Sequence, residues 1–177
     1  MSGGRAGRLL AAIALGTLGF AMQDVLLEPY GGEVLGLSVA ATTALTGIWS
    51  LGALAGFAAA ARWLGRGVDP CLLAAYASVA GAFAFALVIF AAPMQSAAIF
   101  RVGAFSIGFG AGLFSVSGLT AAMALSRNGS GLALGAWGAA TATATGLGVL
   151  AGGIIRDVVG GLATSGALGP ALAETQI

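Results

Sequence analysis

An all-α integral membrane protein of about five transmembrane helices is the fold class this sequence predicts, and three observations predict it. Apolar residues make up 59% of the 177 positions and charged residues only 7%. A soluble domain carries about 25% charged residues, so this chain cannot cover a water-facing surface. Five apolar runs, near 9–27, 36–61, 71–91, 97–124 and 132–154, each reach the length of a membrane crossing. All four prolines (Pro29, Pro70, Pro93, Pro170) fall outside these runs, and of the six acids only Asp24 lies inside one. Backbone groups in lipid must be satisfied within the segment, so the runs read as helices. The two-residue alternation of a membrane β-barrel is absent.

The first run follows Arg5 and Arg8 and passes through Phe20-Ala21, where a secretory leader would end. It continues through Val25-Leu26-Leu27, which favours a retained helix. The segment Glu28-Pro29-Tyr30-Gly31-Gly32-Glu33 then reads as a tight turn, with proline presetting one dihedral and paired glycines permitting positive φ. The second and third runs flank Arg62–Pro70, the fourth follows Pro93, and the fifth ends ahead of Arg156-Asp157. Alternating helices put Arg5, Arg8, Arg62, Arg66 and Arg127 on one side and Arg101 and Arg156 on the other. Five against two puts the N-terminus in the cytoplasm, with the acidic 28–35 loop facing the periplasm. Residues 1–157 form the membrane domain in this reading, and 158–177 a Gly/Ala-rich periplasmic tail.

Small-residue pairs four apart, Gly52/Gly56, Gly108/Gly112, Gly131/Gly135 and Gly148/Gly152, lie on single helical faces and let backbones approach closely in lipid. They predict tight intramolecular packing, with self-association through one face as the alternative. The Gly146-x-Gly148 and Gly108-x-Gly110 strings lie inside apolar helices and lack the strand–turn–helix setting of a nucleotide loop.

The chain has no His and no Lys, and its one cysteine, Cys71, excludes an internal disulfide. No Ser/His/Asp or Cys/His constellation and no metal-ligating cluster occurs, so neither an enzyme nor a metal site is expected. No nucleic-acid partner is expected either. Trp49, Trp137, Tyr76 and the nine Phe read as packing or lipid-facing residues, or as flanks of a bound macrocycle. The hydroxyls of Ser115, Ser117, Thr141, Thr143 and Thr145 are compatible with helices and can bond back to the backbone.

Asp24 and Arg101 are the candidate functional residues. Asp24 sits about three residues from the predicted end of the first helix, and Arg101 about four residues into the fourth. At about 1.5 Å per residue both would lie at one depth, where each alone is costly and the two should pair. Gln23 and Glu28 would extend the cluster, and Tyr30 and Glu33 would present either an interfacial anchor or a docking surface. The pair reads either as a salt bridge between helices or as a polar patch lining a cavity.

The stretch 23–39, Gln-Asp-Val-Leu-Leu-Glu-Pro-Tyr-Gly-Gly-Glu-Val-Leu-Gly-Leu-Ser-Val, resembles the motif of the PucC/LhaA family, the bacteriochlorophyll-delivery branch of the major facilitator superfamily. Arg156-Asp157-Val158-Val159-Gly160-Gly161 adds weaker support, and the likeness extends from about residue 9 to about residue 165. It covers an incomplete C-terminal six-helix half of the major facilitator fold, whose first and fourth helices would carry Asp24 and Arg101 to the central cavity. In the loop that resembles the superfamily's Gly-x-x-x-Asp-Arg-x-Gly-Arg pattern, Gly65 and Arg66 match. Arg62 replaces the acid that supports gating, and Ala58 replaces the first glycine, which argues against conventional alternating access.

The resemblance implies an assembly or accessory protein of the bacterial photosynthetic apparatus, associated with antenna or reaction-centre polypeptides. It also implies the handling of bacteriochlorophyll, for which no His is present as axial ligand. The alternative is a small-solute transporter half that needs a dimer or a separate N-terminal half.

Overall fold

The computed structural model describes residues 3–33, 35–125 and 130–164. Six helices follow in order: α1 (Gly3–Ala21), α2 (Gln23–Glu33), α3 (Val39–Leu64), α4 (Pro70–Ala91), α5 (Ala97–Leu125) and α6 (Ser130–Thr164). Among the described residues five stretches are long and apolar enough to cross a membrane, because α1 and α2 together make one span from Gly4 to Gly32.

The caps explain where the helices start. Ser38 accepts the Ala41 N–H at the start of α3, at 3.3 Å. Asp69 accepts the Leu72 N–H at 2.8 Å and Pro70 occupies the first helical position of α4, where its missing N–H costs nothing. Ser96 accepts the Ile99 N–H at the start of α5. Between α3 and α4 the chain turns at Gly67, whose φ of 85° suits glycine.

Helix direction alternates. Gly52 and Gly56 of α3 face the Phe105 and Phe109 backbone of α5, so those two run parallel, and Gly103 of α5 meets Val88 of α4 while Gly110 meets Ala77, so those two are antiparallel. Gly148 and Gly152 of α6 lie against the Leu18 and Met22 carbonyls, making α6 parallel to α1. The small pairs therefore act within the chain. A Cβ at Gly52, Gly56, Gly108 or Gly112 would collide with a carbonyl oxygen of the opposite helix. Gly131 and Gly135 differ, with open space where a Cβ would stand.

Two apolar clusters form the core. Leu45, Ala84, Val88, Phe100, Ala104 and Ile107 pack near the α2–α3 junction, and Ala60, Leu73, Ala77, Leu113 and Phe114 pack toward the other end. Phe20 of α1 touches both clusters: its ring fills the hollow left by Gly81 and Gly110 and lies 5.7 Å from the Phe114 ring. Large side chains such as Leu15, Leu51, Phe83 and Phe90 remain exposed, as lipid-facing residues do. Ser117, fully buried, donates to the Leu113 carbonyl at 2.7 Å, and Thr141 donates to that of Trp137 at 2.9 Å.

Three expectations are corrected. The predicted turn at 28–33 is helical, and Pro29 lies inside α2. Its ring removes the bond to the Val25 carbonyl, which a membrane helix tolerates better than a soluble one. The glycine that takes positive φ is Gly36, at 61°, while Gly31 is closely packed by the Phe100 ring. Second, α6 does not stop near 154 but runs to Thr164. The adjacent Arg156 and Asp157 interrupt hydropathy, not helix propagation. Third, Asp24 lies far from its helix end, as described below. Arg127, Pro170 and the rest of the tail beyond Thr164 lie outside the described residues.

Candidate functional site at the break in the first span

The first membrane span is broken. Met22 adopts a turn between α1 and α2, with its N–H on the Leu18 carbonyl at 3.2 Å and its carbonyl accepting from Val25 at 3.4 Å. The helix therefore restarts at Gln23 and places Asp24 in the first turn of α2. A carboxylate in the first turn of a helix lies toward the positive end of its dipole. This local arrangement accommodates an acid within the span without requiring a cation. Gln23 is buried and its side-chain amide donates to Asp24 Oδ1.

Asp24 and Arg101 do not meet. Gly32 ends the first span, eight residues beyond Asp24, whereas Arg101 follows the α5 start at Ala97 by only four. At 1.5 Å per residue these are depths of about 12 and 6 Å. The expected match of depths failed because the span continues past Leu27. Arg101 is exposed, and no ion pair joins it to Asp24 among the described residues.

Glu28 lies nearer the helix end, exposed, and accepts the Thr46 hydroxyl at 2.8 Å, which ties α2 to α3. Tyr30 is half-buried: its ring stacks on Phe100 at 5.8 Å and its hydroxyl donates to the Ile89 carbonyl at 3.4 Å. Glu33 closes α2, and its side chain lies outside the described residues.

At the far end of the bundle Arg62 occupies the last turn of α3, where a cation complements the helix dipole. Gly65 caps that helix in an ordinary right-handed conformation, its N–H on the Ala61 carbonyl, and Arg66 is exposed beside it. These three make a helix end and a tight turn, well removed from Asp24.

Two cavities meet at Asp24. The larger, about 310 Å³, lies between α1, α2, α3, α5 and α6, and Gln23, Asp24, Trp49, Phe114, Trp137 and Thr141 are among its walls. The smaller, about 200 Å³, runs between α2 and α3 past Glu28, Leu45 and Thr46. Gln23, Asp24 and Trp49 line both. Arg101 lines neither.

From sequence, Trp49 and Trp137 read as packing or lipid-facing residues or as flanks of a bound macrocycle, and the structure brings both to the larger cavity. Each indole Nε1 is buried and, among the described residues, has no hydrogen-bond acceptor. A buried donor left unmet costs about 1–3 kcal/mol, and no water in a bilayer relieves it. A partial signal was present: Trp137, Thr141 and Thr145 recur every four residues and so share one face of α6, and all three line the cavity. No group of three or more His, Cys, Asp or Glu that would hold a metal occurs among the described residues.

The family model described as PUCC protein matches residues 1–173. The chain belongs to the PucC family. It is 53% identical over 158 residues to Protein PucC of Rhodovulum sulfidophilum, covering 89% of this chain and 35% of that protein. It is 50% identical over 175 residues to an uncharacterized protein in the puhA-bchM intergenic region of Rhodobacter capsulatus, covering 96% of this chain and 37% of the relative. A more distant relative, 32% identical over 151 residues, is the bacteriochlorophyll synthase 44.5 kDa chain of Rhodobacter capsulatus, with 78% of this chain and 33% of that one covered. The chain thus spans about a third of the length of the curated PucC relatives it matches. No solved structure matches it. Family membership and the helical architecture agree with the expected major-facilitator-like partial half, and make this a multi-pass membrane protein linked to bacterial photosynthesis.

Proposed function

We propose that this PucC-family chain is a non-enzymatic accessory protein of the photosynthetic apparatus, which associates with antenna or reaction-centre polypeptides and handles bacteriochlorophyll. The observation that carries the reading is the family match over residues 1–173. The name of the bacteriochlorophyll synthase relative supports the link to pigment. The family match supports a proposed location in the bacterial inner, photosynthetic membrane, and the arginine distribution makes the N-terminus cytoplasmic in this reading.

The residues of the site suit such a pigment's magnesium. With no His in the chain, the oxygens of Gln23, Asp24 and Glu28 are the hard donors at the two cavities. The pigment would supply light absorption; the chain would supply an apolar wall and an axial oxygen.

One observation favours a second reading, a transporter half completed by a dimer or a separate N-terminal half: the first span is interrupted at Met22 beside a cavity, and secondary transporters place substrate sites at discontinuous helices. The experiment that separates the two is affinity purification of the tagged chain from phototrophically grown cells in mild detergent, with an absorbance spectrum and a protein inventory. Near-infrared bacteriochlorophyll bands together with antenna or reaction-centre subunits are the expected result. A colourless eluate lacking those subunits, with solute flux lost in Asp24→Asn, would establish the transporter reading instead.

A further inference from the structure

We infer that the larger cavity binds a protonated amine carried on a small aromatic body, with its ammonium on the Asp24 carboxylate. The inference goes beyond association with photosynthetic complexes and gives the transporter reading a substrate class. As transport it rests on that reading; as binding it rests on the cavity alone.

The polar groups of the wall lead to it. Asp24 is the one acidic or basic side chain lining this cavity. Gln23 donates to its Oδ1, and no other hydrogen bond or ion pair reaches the carboxylate among the described residues. Three hydroxyls from three further helices share the wall: Thr17 of α1, Ser115 of α5 and Thr145 of α6. None of them has a hydrogen-bond partner among the described residues. The indole nitrogens of Trp49 and Trp137 are covered and place no donor in the space, and the Thr141 hydroxyl donates to the Trp137 carbonyl. A carboxylate and three hydroxyl oxygens can all accept, which an ammonium with its three N–H donors matches.

The rest of the wall selects what carries the ammonium. Phe20, Phe57, Phe114 and the two tryptophans line it, and aromatic rings both bury an apolar body and attract a cation. An anion would face the Asp24 carboxylate with no counter-charge. A neutral hydrocarbon would leave the carboxylate and the hydroxyls unmet, and a bare metal ion would leave the ring-lined space of about 310 Å³ unfilled. An arylalkyl ammonium meets the charge, the hydroxyls and the rings together. The fold also leaves Asp24 available, since Gln23 and the helix start at the break hold it and no ion pair uses its charge among the described residues.

The test uses the full chain in dodecyl maltoside and equilibrium dialysis against tritiated phenethylammonium, with empty micelles as the blank. Propylbenzene is its neutral counterpart of the same shape, and 3-phenylpropionate an anionic one. The amine is expected to bind about tenfold or more tightly than either. Asp24→Asn is expected to weaken amine binding by about tenfold or more, and Asp24→Glu, which keeps the charge, to weaken it less. Thr17→Val and Ser115→Ala are each expected to weaken it about threefold. Arg101→Gln, outside both cavities, should leave it unchanged. A wild-type chain that binds no amine, or binds propylbenzene equally well, overturns the inference whatever the variants do. Amine binding that survives Asp24→Asn overturns it as well, and its loss in Glu28→Gln would then put the amine in the smaller cavity. Should Asp24→Asn not fold, Thr17→Val and Ser115→Ala locate the site, and binding indifferent to both refutes it. Failure here leaves the two readings above standing, since co-purification reads the photosynthetic association and flux in reconstituted vesicles reads transport of another solute class.

Discussion

Asp24 is stabilised by what lies next to it in the chain rather than by a distant cation. The break at Met22 gives it the start of a helix, and Gln23 gives it a hydrogen bond. Removing the charge should therefore cost little stability: Asp24→Asn is expected to change unfolding free energy in detergent by no more than about 1 kcal/mol. Arg101→Gln should be similarly mild. A double-mutant cycle on the two is expected to show a coupling below about 0.5 kcal/mol, as for independent sites; a coupling of 2 kcal/mol or more would mean that the two charges pair in the membrane. The polar types at 23, 24 and 28 were readable as a cluster in sequence. Their partners were not, because the depth of Asp24 depends on where the helix ends, and Pro29 and the glycines gave a misleading end point.

At the scale of helices, the close crossing of α3 and α5 is the feature most sensitive to single methyl groups. Gly52→Ala and Gly108→Ala each place a Cβ onto a carbonyl of the other helix. Each is expected to destabilise by about 2–3 kcal/mol, since the backbones must separate, whereas Gly135→Ala, which meets open space, should leave the unfolding midpoint unchanged or slightly raised. Equal effects at the three positions would show that the crossing is looser than described. The glycine pairs were visible as candidates from spacing alone. Which of them were occupied was not, since four-residue spacing is the same for Gly52/Gly56 and for Gly131/Gly135. Pro29 carries its own prediction: Pro29→Ala restores a donor to the Val25 carbonyl and should stabilise the protein by about 1 kcal/mol or more, measured by the same unfolding assay.

For the whole molecule, the alternation of five spans puts Cys71, at the start of α4, at the same end as Arg62 and Arg66. It is exposed and is the one cysteine of the chain. A membrane-impermeant maleimide is therefore expected to label it in inverted membrane vesicles and not in intact spheroplasts. Labelling of spheroplasts would reverse the proposed orientation. The exposed apolar faces of α4 and α6, with Phe83, Phe90, Leu150 and Ile154 among them, suit a bilayer.

The sequence alone determined that this chain crosses a membrane about five times and that it resembles the PucC family. Hydropathy accumulates over some twenty consecutive residues, and the 23–39 motif is likewise contiguous, so neither needs the chain to be folded to be read. Only the tertiary structure decided which residues share a cavity. Trp49 and Trp137 meet there because α3 and α6 both pack around the broken first span, α3 through its glycine contact with α5 and α6 through Gly148 and Gly152 against α1. Helix crossings of this kind are set by backbone contacts between residues far apart in the chain, and those contacts leave no local pattern in the sequence.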